Sequence, residues 1–128
     1  MNTRALLISL ALAGFASTSA LAQEDGSDII LPVEAQSCDL PVAPVRIPDE
    51  ATYDDLVAAK GHIGDFQAEL ASYRACLDES STSPELTDGN RMALNAAHNH
   101  SVEMEERVAA AFNTAVRSYK ERQAAEEG

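Results

Sequence analysis

Thr52 to Leu77 is the stretch that most restricts what this chain can become. Leu56, Ala59, Ile63, Phe66, Leu70, Tyr73 and Leu77 recur at alternating spacings of three and four, which lays a single apolar stripe along a helix. Thr52 is suited to the N-cap, and Asp55, three residues on, resembles the second half of a capping box. Asp54 and Asp55 in the first turn complement the helix dipole. Gly61 and Gly64 fall inside the helix and weaken it by about 1 kcal/mol each relative to Ala. They read as a close backbone approach, a kink, or tolerated weak spots. Cys76 lies about 100° around the helix from the stripe.

A second helix follows a polar, Ser-rich connector at Asp78–Ser83. Ser83-Pro84-Glu85 has the order of an N-cap, a first-turn proline and a first-turn acid, while Asp88-Gly89 leaves a later start open. The stripe of this helix is Leu94, Ala97, Ser101, Met104, Val108, Phe112, Ala115 and Tyr119, widened by Val102 and Val116. The short connector predicts an antiparallel hairpin over 52–126, with helix 1 at about 52–78 and helix 2 at about 84–125. In that hairpin Phe112 is expected near Tyr53, and Tyr119 near Pro48. The fold class is all-α.

Before the hairpin, Cys38 to Pro48 holds three prolines within eight residues, which excludes helix and favours an extended polyproline path. Cys38 to Thr52 is 14 steps, about 43 Å as polyproline II. Thr52 to Cys76 is 24 helical steps, about 36 Å. A strap over 38–51 can therefore run antiparallel along helix 1, turn at Pro48–Ala51 and bring Cys38 beside Cys76. Leu40, Val42, Val45 and Ile47 are expected to supply its apolar contacts. The acidic segment 23–37 ahead of it reads as flexible, with Ile29, Ile30, Leu31 and Val33 as extended coil.

The first 22 residues read as a cleaved signal peptide. Arg4 is a positive n-region, Ala5–Ala16 an uncharged apolar core, and Ala20-Leu21-Ala22 a small-residue cleavage site before Gln23. Removing Arg4 leaves 8 basic against 21 acidic residues, a formal charge of −13 on 23–128. A nucleic-acid binder needs a basic face, as does a protein docking electrostatically on anionic lipid, so neither partner is expected. The mature chain contains no stretch long and apolar enough to span a membrane. Export also changes the meaning of the two cysteines. In an oxidising compartment they are expected to pair, and Cys38–Cys76 would contribute about 4 kcal/mol in the chain-entropy model; free or intermolecular thiols are the alternative. Two helices and a strap make a thin core, so dimerisation into a coiled coil or four-helix bundle is a second staple.

Few residues here suggest chemistry. His100, Glu103 and Met104 have the i, i+3, i+4 spacing of a helix-surface metal site, and His62 with Asp65 and Glu69 forms another partial set. His98 lies about 160° from His100 around the helix, so His98, His100, Glu103 and His62 are weak metal candidates. A solvated face with an interhelical polar patch explains the same residues. Glu103, Glu105 and Glu106 with Arg107 read as an exposed, salt-bridged surface. The sequence holds no nucleophile elbow, phosphate loop, dinucleotide fingerprint or zinc-protease motif, so no enzyme and no cofactor is expected.

Cys38-x-x-Pro41-x-x-Pro44-x-x-Ile47-Pro48-Asp49, followed by Phe66 and Tyr73-x-x-Cys76-Leu77, resembles a group of short secreted proteobacterial proteins with no established activity. Phe112-Asn113, Ala115-Val116-Arg117 and Tyr119-Lys120 extend the resemblance over most of the mature chain. It implies export and a Cys38–Cys76 pair, and brings no site residues. The expected role is that of a periplasmic or secreted helical interaction or structural protein, acting on itself or on a protein partner. A metal- or ligand-binding protein or a holdase-type chaperone is the alternative.

Overall fold

The computed structural model describes residues 28–128. The expected signal segment and its expected Ala22/Gln23 cleavage site lie outside the described residues. Two helices dominate, α1 over Tyr53–Ser80 and α2 over Asp88–Glu127, preceded by a short 3-10 helix at Ala35–Ser37. The helices pack as an antiparallel hairpin, with Tyr53 meeting Tyr119 and Gln67 bonding Glu105. Those pairs step in opposite directions along the two helices, so Phe112 lies level with Lys60. The expectation that it sits near Tyr53 is off by two turns, and Tyr119 takes that place.

The cap of α1 forms as its sequence implies. Thr52 Oγ1 accepts from the Asp55 N–H at 3.1 Å, and Asp55 Oδ2 accepts from the Thr52 N–H at 2.8 Å. The buried positions of α1 are Leu56, Phe66, Leu70, Tyr73, Leu77 and Ser80, five of them on the predicted stripe. Its last turn holds no basic residue. The terminal carbonyls there are met by backbone N–H groups of the next turn, Ser81 N–H to Leu77 O and Asp78 O and Thr82 N–H to Glu79 O, and hydroxyls add to them: Ser81 Oγ donates to Asp78 O and Thr82 Oγ1 to Glu79 O.

α2 begins at the later of its two candidate starts. Thr87 is the N-cap: its Oγ1 accepts from the Asn90 N–H at 3.0 Å, and Asn90 Oδ1 accepts from the Thr87 N–H at 3.1 Å. The earlier start at Pro84 fails because Ser83 has only a long bond, 3.4 Å, from the Glu85 N–H, whereas the Thr87–Asn90 pair satisfies two donors reciprocally.

A buried cluster sits at one end of the hairpin, while Ala51, Leu56 and Phe66 are buried further along it. Ala35, Tyr73, Leu77 and Leu94 form the centre of the cluster, with Leu31, Cys38, Leu86 and Ala97 packed around them. Three layers meet at this end, the N-terminal segment and the two helices, with Leu86 of the connector packed beside them. Towards the other end, the α2 stripe at Met104, Val108, Phe112, Ala115 and Tyr119 is only half-buried. The N-terminal segment differs from the flexible coil its composition suggests. Where described, at 28–37, it folds back on the hairpin: Pro32 and Ala35 are buried, and Asn90 Nδ2 donates to Ile30 O at 2.7 Å.

Candidate interaction surface

The strap is the chain's least ordinary element, and its geometry follows from its prolines. A polyproline II path turns once every three residues. Cys38, Pro41, Pro44 and Ile47 are half-buried, and every residue between them is exposed. One line of the three-fold helix therefore rests on the hairpin and two face outward. This overturns the expectation that Leu40, Val42 and Val45 supply the contacts. Val42 is 88% and Val45 84% exposed, and Leu40 is exposed as well; of the four expected contact residues only Ile47 faces inward. Hydrophobicity lost to geometry, because the ring of each proline fixes φ and with it the three-residue turn.

Both ends of the strap are pinned. Cys38 and Cys76 form a disulfide, with Cα atoms 5.7 Å apart. At the far end Arg122 of α2 donates from Nη2 to Ala51 O at 2.6 Å and from Nη1 to Asp49 O at 3.2 Å. Its guanidinium also lies 6.0 Å from the Tyr119 ring centroid, within cation–π range. Arg46 pairs with Asp49 at 2.6 Å, both exposed, a contact of small energetic weight. The strap backbone from Asp39 to Asp49 makes no main-chain hydrogen bond with another described residue. Its order comes from proline stiffness and from its two anchors.

Between strap and hairpin lies a groove of about 660 Å³. Pro44 to Asp49 form one side; Asp55, Ala58, Ala59, His62 and Ile63 of α1 and Val108, Ala110, Ala111, Thr114, Ala115 and Ser118 of α2 form the rest. The Asp55 carboxyl is held below its ordinary value, first by the Thr52 backbone N–H, then by the Thr52 hydroxyl, against a smaller opposing effect of burial.

A second polar feature sits in the helix interface near the disulfide end. Ser101 is 0% exposed. Its Oγ accepts from Arg74 Nε at 2.8 Å and donates to His98 O at 2.6 Å. Arg74 Nη2 also reaches Ser101 O at 3.1 Å and Glu105 Oε2 at 2.7 Å. Gln67 Nε2 donates to the other Glu105 oxygen at 3.2 Å. Glu105 is therefore half-buried and spoken for across the interface, which corrects its reading as part of an exposed salt-bridged surface. Arg107 donates to the Glu103 carbonyl instead. The serine standing in an otherwise apolar stripe was the sequence's mark of this cluster. Burial pushes the nearby Tyr73 phenol above its ordinary value.

The metal candidates are not brought together. His98 is half-buried, His100 and Glu103 are exposed, and His62 is exposed on the other helix beside the groove. The hairpin register puts His62 level with Ala110, twelve residues along α2 from His98, about 18 Å. Among the described residues no three His, Cys, Asp or Glu side chains cluster closely enough to hold a metal ion. No described helix is long and apolar enough to cross a membrane.

These features define a class of object: a disulfide-stapled helical hairpin with a pinned polyproline strap. No family model, curated protein or solved structure matches the chain in comparison.

Proposed function

We propose that this is an exported interaction protein that works by presenting the outer surface of its strap to a protein partner. One observation carries the reading: Val42 and Val45, two large apolar residues, are 88% and 84% exposed on a segment fixed at both ends. A polyproline II helix offers side chains and backbone in a preformed path, so a partner binds it at little ordering cost. Leucine, valine and unpaired backbone groups on the outer lines match a shallow apolar or aromatic groove. The net charge of −13 on 23–128 would speed association with a basic surface. The signal-like leader, the disulfide and the resemblance to short secreted proteobacterial proteins support the periplasm as its place of work.

The test is a photocrosslinking residue placed at Val42 or Val45 in the producing cells. A discrete protein adduct from both positions, with none from exposed Lys60, is expected. The reading fails if neither strap position gives an adduct. The half-buried apolar face of α2 favours a second reading, a holdase; it fails if the oxidised protein does not suppress aggregation of unfolded clients.

A further inference from the structure

The inner side of the strap has a different character from its outer side. We propose that the groove beneath it binds one slender aliphatic chain carrying an uncharged or cationic head. The groove volume, about 660 Å³, lies in the range of small-molecule sites. Its length follows from the elements that line it. Asp55 to Ile63 on α1 and Val108 to Ser118 on α2 are eight and ten helical steps, about 12–15 Å. Volume over length gives a cross-section of roughly 45–55 Å², enough to take a single extended chain.

The chemistry of the walls narrows that chain further. An extended peptide needs partners for its own N–H and C=O groups. The strap cannot supply a ladder, because Pro44 and Pro48 lack N–H donors and a polyproline path does not keep strand register. The helix side of the lining is mostly apolar, with methyl groups from Ala58, Ala59, Ala111 and Ala115, and the hydroxyls of Thr114 and Ser118 lie among them. Such a surface fits an alkyl chain. The charged groups on the lining are Arg46, Asp49 and Asp55. Arg46 is bound to Asp49, which leaves the Asp55 carboxylate in excess at the end beside the start of α1. Together with the strongly acidic chain, this repels an anionic head and admits a neutral or cationic one. The roof is already anchored by the disulfide and by Arg122, so the site is formed before the ligand arrives.

The test is calorimetric titration of the oxidised, exported protein with dodecyltrimethylammonium and with dodecanoate, each below its micelle concentration. Saturation by the ammonium at one per chain is expected, with dodecanoate at least tenfold weaker. Ala58→Leu with Ala111→Leu fills the groove from two exposed helix positions and should weaken ammonium binding at least tenfold. Ala68→Leu, on the exposed α1 surface away from the groove, should leave it unchanged. In the wild-type protein, the methyl resonances of Ala58, Ala59 and Ala111 should shift on titration, a readout that needs no variant. No saturable binding, unmoved alanine methyls, or equal affinity in the filled variant would overturn the site. Equal binding of dodecanoate would overturn the head-group assignment.

Discussion

Gly61 and Gly64 show how a residue-scale question is settled by what surrounds a missing atom. A Cβ built at either position meets nothing within 4 Å. No backbone approaches there, so the close-approach reading of these glycines falls. What remains is an entropic weakness in the middle of α1. Gly61→Ala and Gly64→Ala should each stabilise the protein by about 0.5–1 kcal/mol, read as a raised urea midpoint with an unchanged slope. Asp55 makes a residue-scale prediction of the opposite sign. Its folded carboxyl titrates below the ordinary value of 3.8 because Thr52 donates to it. A depressed acid contributes stability that is present above the unfolded value and lost as pH falls through the folded one. The difference in melting temperature between wild type and Asp55→Asn should therefore be constant near neutrality and shrink below about pH 4. A difference that persists unchanged to pH 2 would show that the cap does not depend on the charge.

At the scale of elements, α1 was legible because one periodicity and one capping box agree: its stripe and its Thr52 cap are the buried face and the start that form. The start of α2 was not, because two hydroxyl residues compete within five positions and propensity favours the one followed by proline. The winner is decided by a reciprocal partner, Asn90, whose side chain also reaches the N-terminal segment at Ile30. That contact has a sequence separation of 60, which no local pattern encodes. Thr87→Ala should cost about 1 kcal/mol, and Ser83→Ala only a few tenths, measured by chemical unfolding. The interface cluster was half-legible. An interhelical polar patch was expected, but Ser101 was read as one more residue of the stripe, and Glu105 was assigned to solvent because its neighbours Glu103 and Glu106 are acidic and exposed. Arg74→Ala should cost about 1–2 kcal/mol, at the low end for a charged hydrogen-bond donor, because Ser101 keeps its bond to His98 O. A double-mutant cycle of Arg74→Ala with Glu105→Ala should return a coupling of roughly 0.5–1 kcal/mol, weakened by salt since both side chains keep some exposure.

For the whole molecule, the buried cluster at one end of the hairpin sets the dependence on the disulfide. Its side chains gather where the N-terminal segment lies across both helices, and Cys38 is the residue that joins this segment to the strap. Cys38–Cys76 closes a stretch with a separation of 38, for which chain entropy gives about 4 kcal/mol. That is comparable to the entire stability of many small domains with thin cores. Losing it also frees the segment that contributes Leu31 and Ala35 to the core, so the two effects fall at the same end. At the other end the strap keeps only the Arg122 bonds to the carbonyls of Asp49 and Ala51. Cys38→Ser with Cys76→Ser should therefore lower the unfolding free energy by about 3–4 kcal/mol. Arg122→Ala in the oxidised protein should lower it by about 1 kcal/mol. Hydrogen exchange separates the two anchors. In the oxidised Arg122 variant, amides around Leu77 and Leu94 should stay protected. In the cysteine variant they should exchange first, because the third layer has been released. If the reduced protein instead keeps both its midpoint and the protection of those amides, the three-layer core stands without its staple, and the strap is held by its proline line and Arg122 alone.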